Sequence, residues 1–307
     1  MNLKRRIKSF VSKIVGVNSA NNILYEKIRS ENRRNGLLLC AQYSKNQGIS
    51  SSLCCDREVI VSLTSYGKRL RDVYLTIESI MQGTVKPNRL ILWLEDGISD
   101  LPVLLQQQQQ RGLEVRFCKD IRSYKKLIPC LKEFPEAIII TIDDDAFYNV
   151  DFLENLVNAH KNHPNCICAN RVHRIRLDWN NLPMPYMKWD WCIQESGVSN
   201  LNFGTGVGGI LYPPHCFNEE VFNEKVFMDI CKTADDVWFY AMALLNHTPI
   251  FKADTNSKLG EEYVLNEDNQ DMGLFNVNTN QSSKKCSNDE QLCAVLNKYD
   301  LKKHFVL

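Results

Sequence analysis

"IIITIDDDAF", residues 138–147, couples an apolar run to three consecutive aspartates. Ile138, Ile139, Ile140 and Ile142 are β-branched, and an unbroken run of such residues suits a strand buried on both faces of a sheet covered by helices. In open α/β sheets, ligands bind just beyond the carboxyl ends of the strands. Asp143, Asp144 and Asp145 fall at that point. Three adjacent carboxylates repel one another, so an offsetting charge is expected. A hard divalent cation, Mg²⁺ or Mn²⁺, supplies one through oxygen ligands, often with substrate phosphate oxygens completing its shell. The competing reading is an acidic solvated turn, or an N-cap for the helix that follows from Asp151.

The neighbouring segments alternate in kind. "EVIVSLTS" from Glu58 reads as a strand and "DVYLTIESIMQ" as a helix with Val73, Ile77, Ile80 and Met81 on one side. "RLILWLE" reads as a second strand, and "LPVLLQQQQQRG" as a helix ended by Gly112. "LEVRFCKD" is a third strand, and "YKKLIPCLKEF" is helical with a break expected near Pro129. "AIIITID" is then the fourth strand. This alternation predicts an α/β fold, a Rossmann-like, mostly parallel central sheet flanked by helices. Past Asp145 come a helix, "DFLENLVNAHKNH", a strand, "CICANRV", and an irregular stretch over 173–203 rich in Trp, Tyr, Pro and Asn. Long loops in compact domains are often functional. Exposed aromatics there would stack on a sugar ring; ordinary packing is the alternative.

The chain has 307 residues, a formal net charge of +1, 44% hydrophobic and 24% charged residues. That is an ordinary globular composition. The near-neutral balance argues against a nucleic-acid partner. The twelve cysteines show no CxxC pair and no zinc spacing, and read as reduced thiols of a cytosolic protein. Residues 1–56 read as an N-terminal helical extension and 57–307 as the patterned domain. Within the extension, "MNLKRRIKSFVSKIVGV" sets Leu3, Ile7, Phe10, Val11, Ile14 and Val15 on one helical face among five Lys and Arg, with no acidic residue before Glu26. It is too short to span a bilayer. Residues 1–17 are expected to lie on an anionic membrane surface; packing on the domain or a partner is the alternative.

Three further groups carry chemistry. "GTGVGG", residues 204–209, matches GxGxxG formally, but "ILYPP" follows where a dinucleotide site needs a helix. Its glycines are better suited to a close approach of backbone to ligand. In "TADDVWFYAMALL", Asp235 and Asp236 occupy the first turn of a helix. They serve either the helix dipole or as a general base that takes a proton from an attacking hydroxyl. Lys125 and Lys126 precede the acidic strand, where one of them could neutralise a diphosphate.

As an ordered set, "VSLTSYGKRL", "SYKKLIP", "TIDDDAFY", "GTGVGGILYPP" and "TADDVWFYAMAL" resemble bacterial glycosyltransferases of the GT-A fold, over about residues 58–300. The resemblance implies a nucleotide-diphospho-sugar donor, a divalent metal (Mn²⁺ or Mg²⁺) and a glycan or lipid-linked acceptor. It also implies a role in lipopolysaccharide- or capsule-type surface polysaccharide synthesis, on the cytoplasmic face of the cell membrane. Asp143 and Asp145 look like the ends of the family's DxD motif, Asp145 binding metal and Asp143 near the donor ribose or the metal. Asp144, the middle residue, could replace either, because DDD stands where other members have only DxD. Asp236 looks like the base, with Asp235 second. Gly208 and Gly209 resemble the wall between donor and acceptor, and Thr64 and Tyr66 the nucleotide-contact region. Two other classes remain: a metal-dependent sugar-phosphate nucleotidyl or phosphoryl transferase, and a non-catalytic glycan-binding protein. The former lacks an N-terminal glycine-rich nucleotide loop, and the latter gives no reason for the DDD.

Overall fold

The isoleucine run of 138–142 is buried on both faces of a central sheet. In a computed structural model of the chain, which describes residues 24–255, 262–266 and 287–305, its side chains divide by parity. Ile138, Ile140 and Ile142 enter one hydrophobic core, and Ile139 enters the other. The neighbouring strands split the same way. Val59, Val61 and Leu63 oppose Ile60, and Leu90, Leu92 and Leu94 oppose Ile91 and Trp93. A period of two with both faces apolar is what a doubly covered sheet requires.

The described residues open with helix α1 (residues 24–43). It continues through β1 (Val59–Thr64), α2 (Val73–Met81), β2 (Arg89–Glu95), α3 (Val103–Gln109) and β3 (Leu113–Cys118). Then follow α4 (Ile128–Glu133), β4 (Ile138–Thr141), β5 (Ala146–Tyr148), α5 (Phe152–Asn162), β6 (Ile167–Ala169) and β7 (Val172–Arg174). Short strands β8 (Gly197–Ser199), β9 (Asn202–Gly204) and β10 (Ile210–Tyr212) precede α6 (Glu224–Ile230), α7 (Asp235–Leu245), β11 (Ile250–Lys252) and β12 (Tyr263–Leu265). A last described helix spans Ser287–Lys298.

The main sheet has eight strands in the order β3-β2-β1-β4-β10-β6-β11-β8. Its first half is parallel, with Ile60 in register with Arg89 on one side and Ile139 on the other. β10 runs antiparallel to both β4 and β6, and β8 antiparallel to β11. The parallel sheet expected from the strand–helix rhythm therefore holds for β1–β4, and the second half is mixed. Because β10 opposes both neighbours, β4 and β6 run the same way, and their carboxyl ends share one edge of the sheet.

Two local expectations need correction. The break in 122–133 lies at Leu127, between a 3₁₀ turn (Arg122–Lys126) and α4. Pro129 sits in the first turn of α4, where its missing N–H costs nothing. The segment read as one strand, 166–172, is two: β6 in the main sheet and β7 in a separate ribbon with β9.

The described part of the extension shares the domain's core. Leu37 and Ala41 of α1 are buried with the α2 and α5 face of the sheet. Arg33 Nη2 donates to the Tyr148 carbonyl at 2.9 Å, and Ser30 Oγ to the Leu265 carbonyl at 2.8 Å, so α1 clamps the ribbon of β5 and β12. Residues 1–17 lie outside the described residues. No helix among the described residues is long and apolar enough to cross a membrane. Every described cysteine is free.

Candidate active site

The carboxyl ends of β1 and β4 hold the acidic run. β4 stops at Thr141, and the three aspartates turn the chain out of the sheet into β5. Each takes a different partner. Asp144 is buried, accepting from Ser65 Oγ at 2.7 Å and Arg69 Nη1 at 2.8 Å. Asp145 pairs with Arg69 Nη2 at 3.0 Å. Asp143, the most open of the three, accepts from Lys126 Nζ at 2.9 Å. Its backbone N–H donates to the Tyr148 hydroxyl at 3.0 Å.

The charge of the run is thus partly offset from within the chain. Arg69 forks across Asp144 and Asp145, a bidentate task suited to guanidinium. Burial still raises the pKa of Asp144 despite Arg69 and Ser65. Burial, with repulsion from Asp143 and Asp144, lifts Asp145 to about 7. The solvated-turn reading does not fit carboxylates so enclosed.

Lys126 joins this run to the second acidic pair. Its Nζ lies 3.0 Å from Asp235 Oδ2 as well as 2.9 Å from Asp143. The contact with Asp235 is an ion pair outside hydrogen-bonding alignment. Burial alone would lower the pKa of Lys126, and Asp143, Asp235 and Asp236 together hold it well above its usual value. Lys125 is turned away and pairs with Asp120.

The helix-dipole alternative accounts for the position of Asp235 and Asp236 but not for their contacts. α7 begins after Ala234, and no side chain caps it. Both carboxylates sit in its first turn, where the dipole favours them, but they reach to other segments. Asp235 is buried against Lys126. Asp236 is half-buried and accepts the Gly206 N–H at 3.1 Å. Burial and the neighbouring charge of Asp235 lift Asp236 to about 7.

Gly206 is where the two acidic groups meet. A Cβ there would lie 2.9 Å from Lys126 Nζ, 3.1 Å from Asp143 Oδ1 and 3.3 Å from Asp236 Oδ1. Gly206→Ala should leave the fold intact at a modest cost in thermal stability, because its tightest contact is with the Lys126 ammonium, which two ion pairs hold in place. Activity should nonetheless fall more than about tenfold, since a misplacement near 1 Å can cost about 10². Turnover and melting temperature measured on the same preparation check this, and equal turnover would remove Gly206 from the site.

The other expected residues distribute unevenly. A Cβ on Gly208 would come 2.2 Å from Arg171 Cβ, and one on Gly209 would come 2.4 Å from the Phe152 ring. Gly209 also has φ +80, so both are fixed by close packing. The Thr64 hydroxyl is committed to the Trp93 carbonyl at 2.8 Å. Tyr66 is exposed beyond β1, with the Arg69 guanidinium 5.9 Å from its ring centroid. Of the aromatics in 173–203, Tyr186, Trp189 and Phe203 are buried against one another. Trp179 is open to solvent.

Sequence reasoning missed Ser65, Arg69, Tyr148 and Gly206. Ser65 and Arg69 lie inside "VSLTSYGKRL", but nothing local distinguishes Arg69 from Lys68 or Arg71; burial does.

Among the described residues no three His, Cys, Asp or Glu side chains converge on a metal position. The donor set therefore does not fit a closed cage of protein ligands. It does fit a hard cation held by one or two carboxylates and completed by substrate phosphate and water. Asp143 and Asp145 suit that role, because each has an oxygen outside its contact with Lys126 or Arg69.

No family model matches the chain, and no curated protein is significantly similar to it. Among solved structures it is similar to the crystal structure of S. aureus TarS 1-349, at 15% identity and a TM-score of 0.45, over 79% of this chain and 71% of that one. That likeness is too distant to assign a family or an activity.

Proposed function

We propose that this chain is a glycosyltransferase, moving a sugar from a nucleotide-diphospho-sugar to an acceptor hydroxyl on a glycan or lipid-linked glycan. The observation that carries the proposal is the convergence of Asp143, Lys126, Asp235 and Asp236 around Gly206 at the carboxyl edge of the sheet. It joins an anion-rich, cation-seeking run to a carboxylate suited to proton removal. The ordered motifs resembling bacterial GT-A enzymes point the same way.

In this reading Asp143 and Asp145 would hold a divalent cation, which when bound would offset negative charge on the donor diphosphate. Lys126 keeps Asp143 and Asp235 in place and adds positive charge beside the departing group. Asp236, oriented by the Gly206 N–H, accepts the proton of the acceptor hydroxyl. The hydroxyl oxygen forms the new bond to the anomeric carbon, and the electron pair of the broken bond leaves with the nucleoside diphosphate. A base opposite the leaving group implies inversion, by analogy with inverting hydrolysis. Tyr66, exposed just beyond β1, would contact the nucleotide.

The setting implied by the resemblance is surface polysaccharide synthesis at the cytoplasmic membrane face, with residues 1–17 as the contact with anionic lipid. Nucleotidyl or phosphoryl transfer gains no specific support, since it leaves the Asp235–Asp236 pair without a task.

Nucleoside diphosphate release from nucleotide sugars, with and without Mn²⁺, tests the proposal. Asp145→Ala should abolish Mn²⁺-dependent donor binding while the fold survives. Unchanged Mn²⁺-dependent affinity in that variant would remove Asp145 from the metal site.

A further inference from the structure

Arg171 follows β6 at the same carboxyl edge and takes no part in the mechanism above. It is half-buried. Its Nη1 donates to Thr205 Oγ1 at 2.7 Å, and the Thr205 N–H donates back to its carbonyl at 3.1 Å. No carboxylate among the described residues lies within ion-pairing distance of it. The groups that face it are Tyr263, Cys192 and Tyr186, with the Cys192 thiol in hydrogen-bonding contact. Its situation differs from that of the buried cations Arg69, Arg111, Lys125 and Lys126, each paired with at least one carboxylate. A guanidinium drawn out of water without a counter-charge is costly, so a substrate anion is the natural partner.

The sheet order says which substrate. β6 stands two strands from β4 and three from β1, or about 10 and 14 Å at the usual strand spacing. Arg171 is therefore on the far side of the acidic run from Tyr66 and the nucleotide end. It is also one residue removed from the base, because Thr205 precedes Gly206, whose N–H holds Asp236. A Cβ at Gly208 would strike the Arg171 backbone and Cβ, so the glycine-rich turn lies directly against the arginine. Lys252, opposite Ala169 on β11, is a second buried cation at this corner; its Nζ donates to the Ala253 carbonyl at 2.6 Å, and Glu262 and Asp254 stand near enough to favour its charge.

We infer that Arg171, oriented by Thr205, binds an oxyanion carried by the acceptor, and that the acceptor is a glycan bearing a phosphate or carboxylate near the hydroxyl that is glycosylated. The inference rests on the glycosyl-transfer reading, which makes the Asp236 side the acceptor side. Charge-assisted contacts of this kind are about twice as strong as neutral ones, and Arg offers a planar fork to either anion.

The test uses the full chain saturated with Mn²⁺ and a nucleoside diphosphate that it binds. Glucose 1-phosphate, glucuronate and glucose are titrated in by calorimetry. Wild type should bind one or both charged sugars at least about tenfold more tightly than glucose, and which one is preferred separates phosphate from carboxylate. Arg171→Gln should erase that preference and leave nucleotide affinity unchanged. Arg171→Lys, which keeps the charge, should retain part of it, and it provides the readout if the Gln variant does not fold. The inference is overturned if wild type shows no preference, if the preference survives Arg171→Gln, or if that variant loses nucleotide affinity instead, which would assign Arg171 to the donor. A wild-type chain that binds no nucleoside diphosphate overturns the glycosyl-transfer reading itself, and the inference with it.

Discussion

Asp236→Asn should lower the transfer rate by at least about a hundredfold, because a general base typically contributes about 10²–10⁴. The fold should hardly respond. No side chain caps α7, so no cap is lost, and the amide oxygen of Asn can still accept the Gly206 N–H that Asp236 now accepts at 3.1 Å. Donor affinity should change little, since the donor is held at the other acidic group. The pH profile carries the sharper signature. The base works only when deprotonated, and its pKa is raised to about 7 by burial and Asp235. Wild-type activity should therefore rise with pH along an acidic limb. Its midpoint should fall at or below pH 7, because a nearby divalent cation would draw the value down. That limb should vanish in Asp236→Asn. Asp235→Asn should act differently, loosening Lys126, which contacts Asp235 at 3.0 Å. If Asp235→Asn costs more than Asp236→Asn and alone removes the limb, the base is Asp235.

Arg69→Met should destabilise the fold by about 3–5 kcal/mol at neutral pH, the usual cost of breaking a buried ion pair by removing one partner. Among the described residues Arg69 is the cation paired with Asp144 and Asp145, at 2.8 and 3.0 Å. Both carboxylates already have raised pKa values, for which burial is the first cause. Without Arg69 the folded state would favour their protonated forms more strongly. The penalty should therefore shrink as pH falls and those carboxylates take up protons, and grow as pH rises. Denaturant unfolding at pH 5 and pH 8 measures this. A pH-independent loss would mean that the fork serves packing rather than charge.

These two sites mark what could and could not be read from the sequence. The isoleucines of β4 identified a doubly buried strand, because period and composition are local properties. The position of the acidic run at the strand end followed from that. Its counter-charge did not, since Arg69 and Lys126 reach it from segments 74 and 17 residues earlier, counted from Asp143, and nothing nearby in sequence selects Arg69 over Lys68. The acidic run calls for an offsetting charge, and Arg69 and Lys126 supply part of it. Among the glycines, Gly206 faces the site, whereas Gly208 and Gly209 face Arg171 and Phe152, a difference that the spacing of glycines does not encode. β10 has only three residues, too few for a period, so its antiparallel insertion between β4 and β6 left no mark in the pattern. The core contacts of α1 likewise come from a short apolar run, 37–41, in which Leu37 and Ala41 are buried and Leu38 partly so.

Calorimetric titration of the protein with a panel of nucleotide sugars, with and without Mn²⁺, tests the central claim most directly. At least one nucleotide sugar should bind, more tightly with Mn²⁺ than without, and lose that difference in Asp145→Ala. A panel in which none binds under either condition would contradict glycosyl transfer at this site.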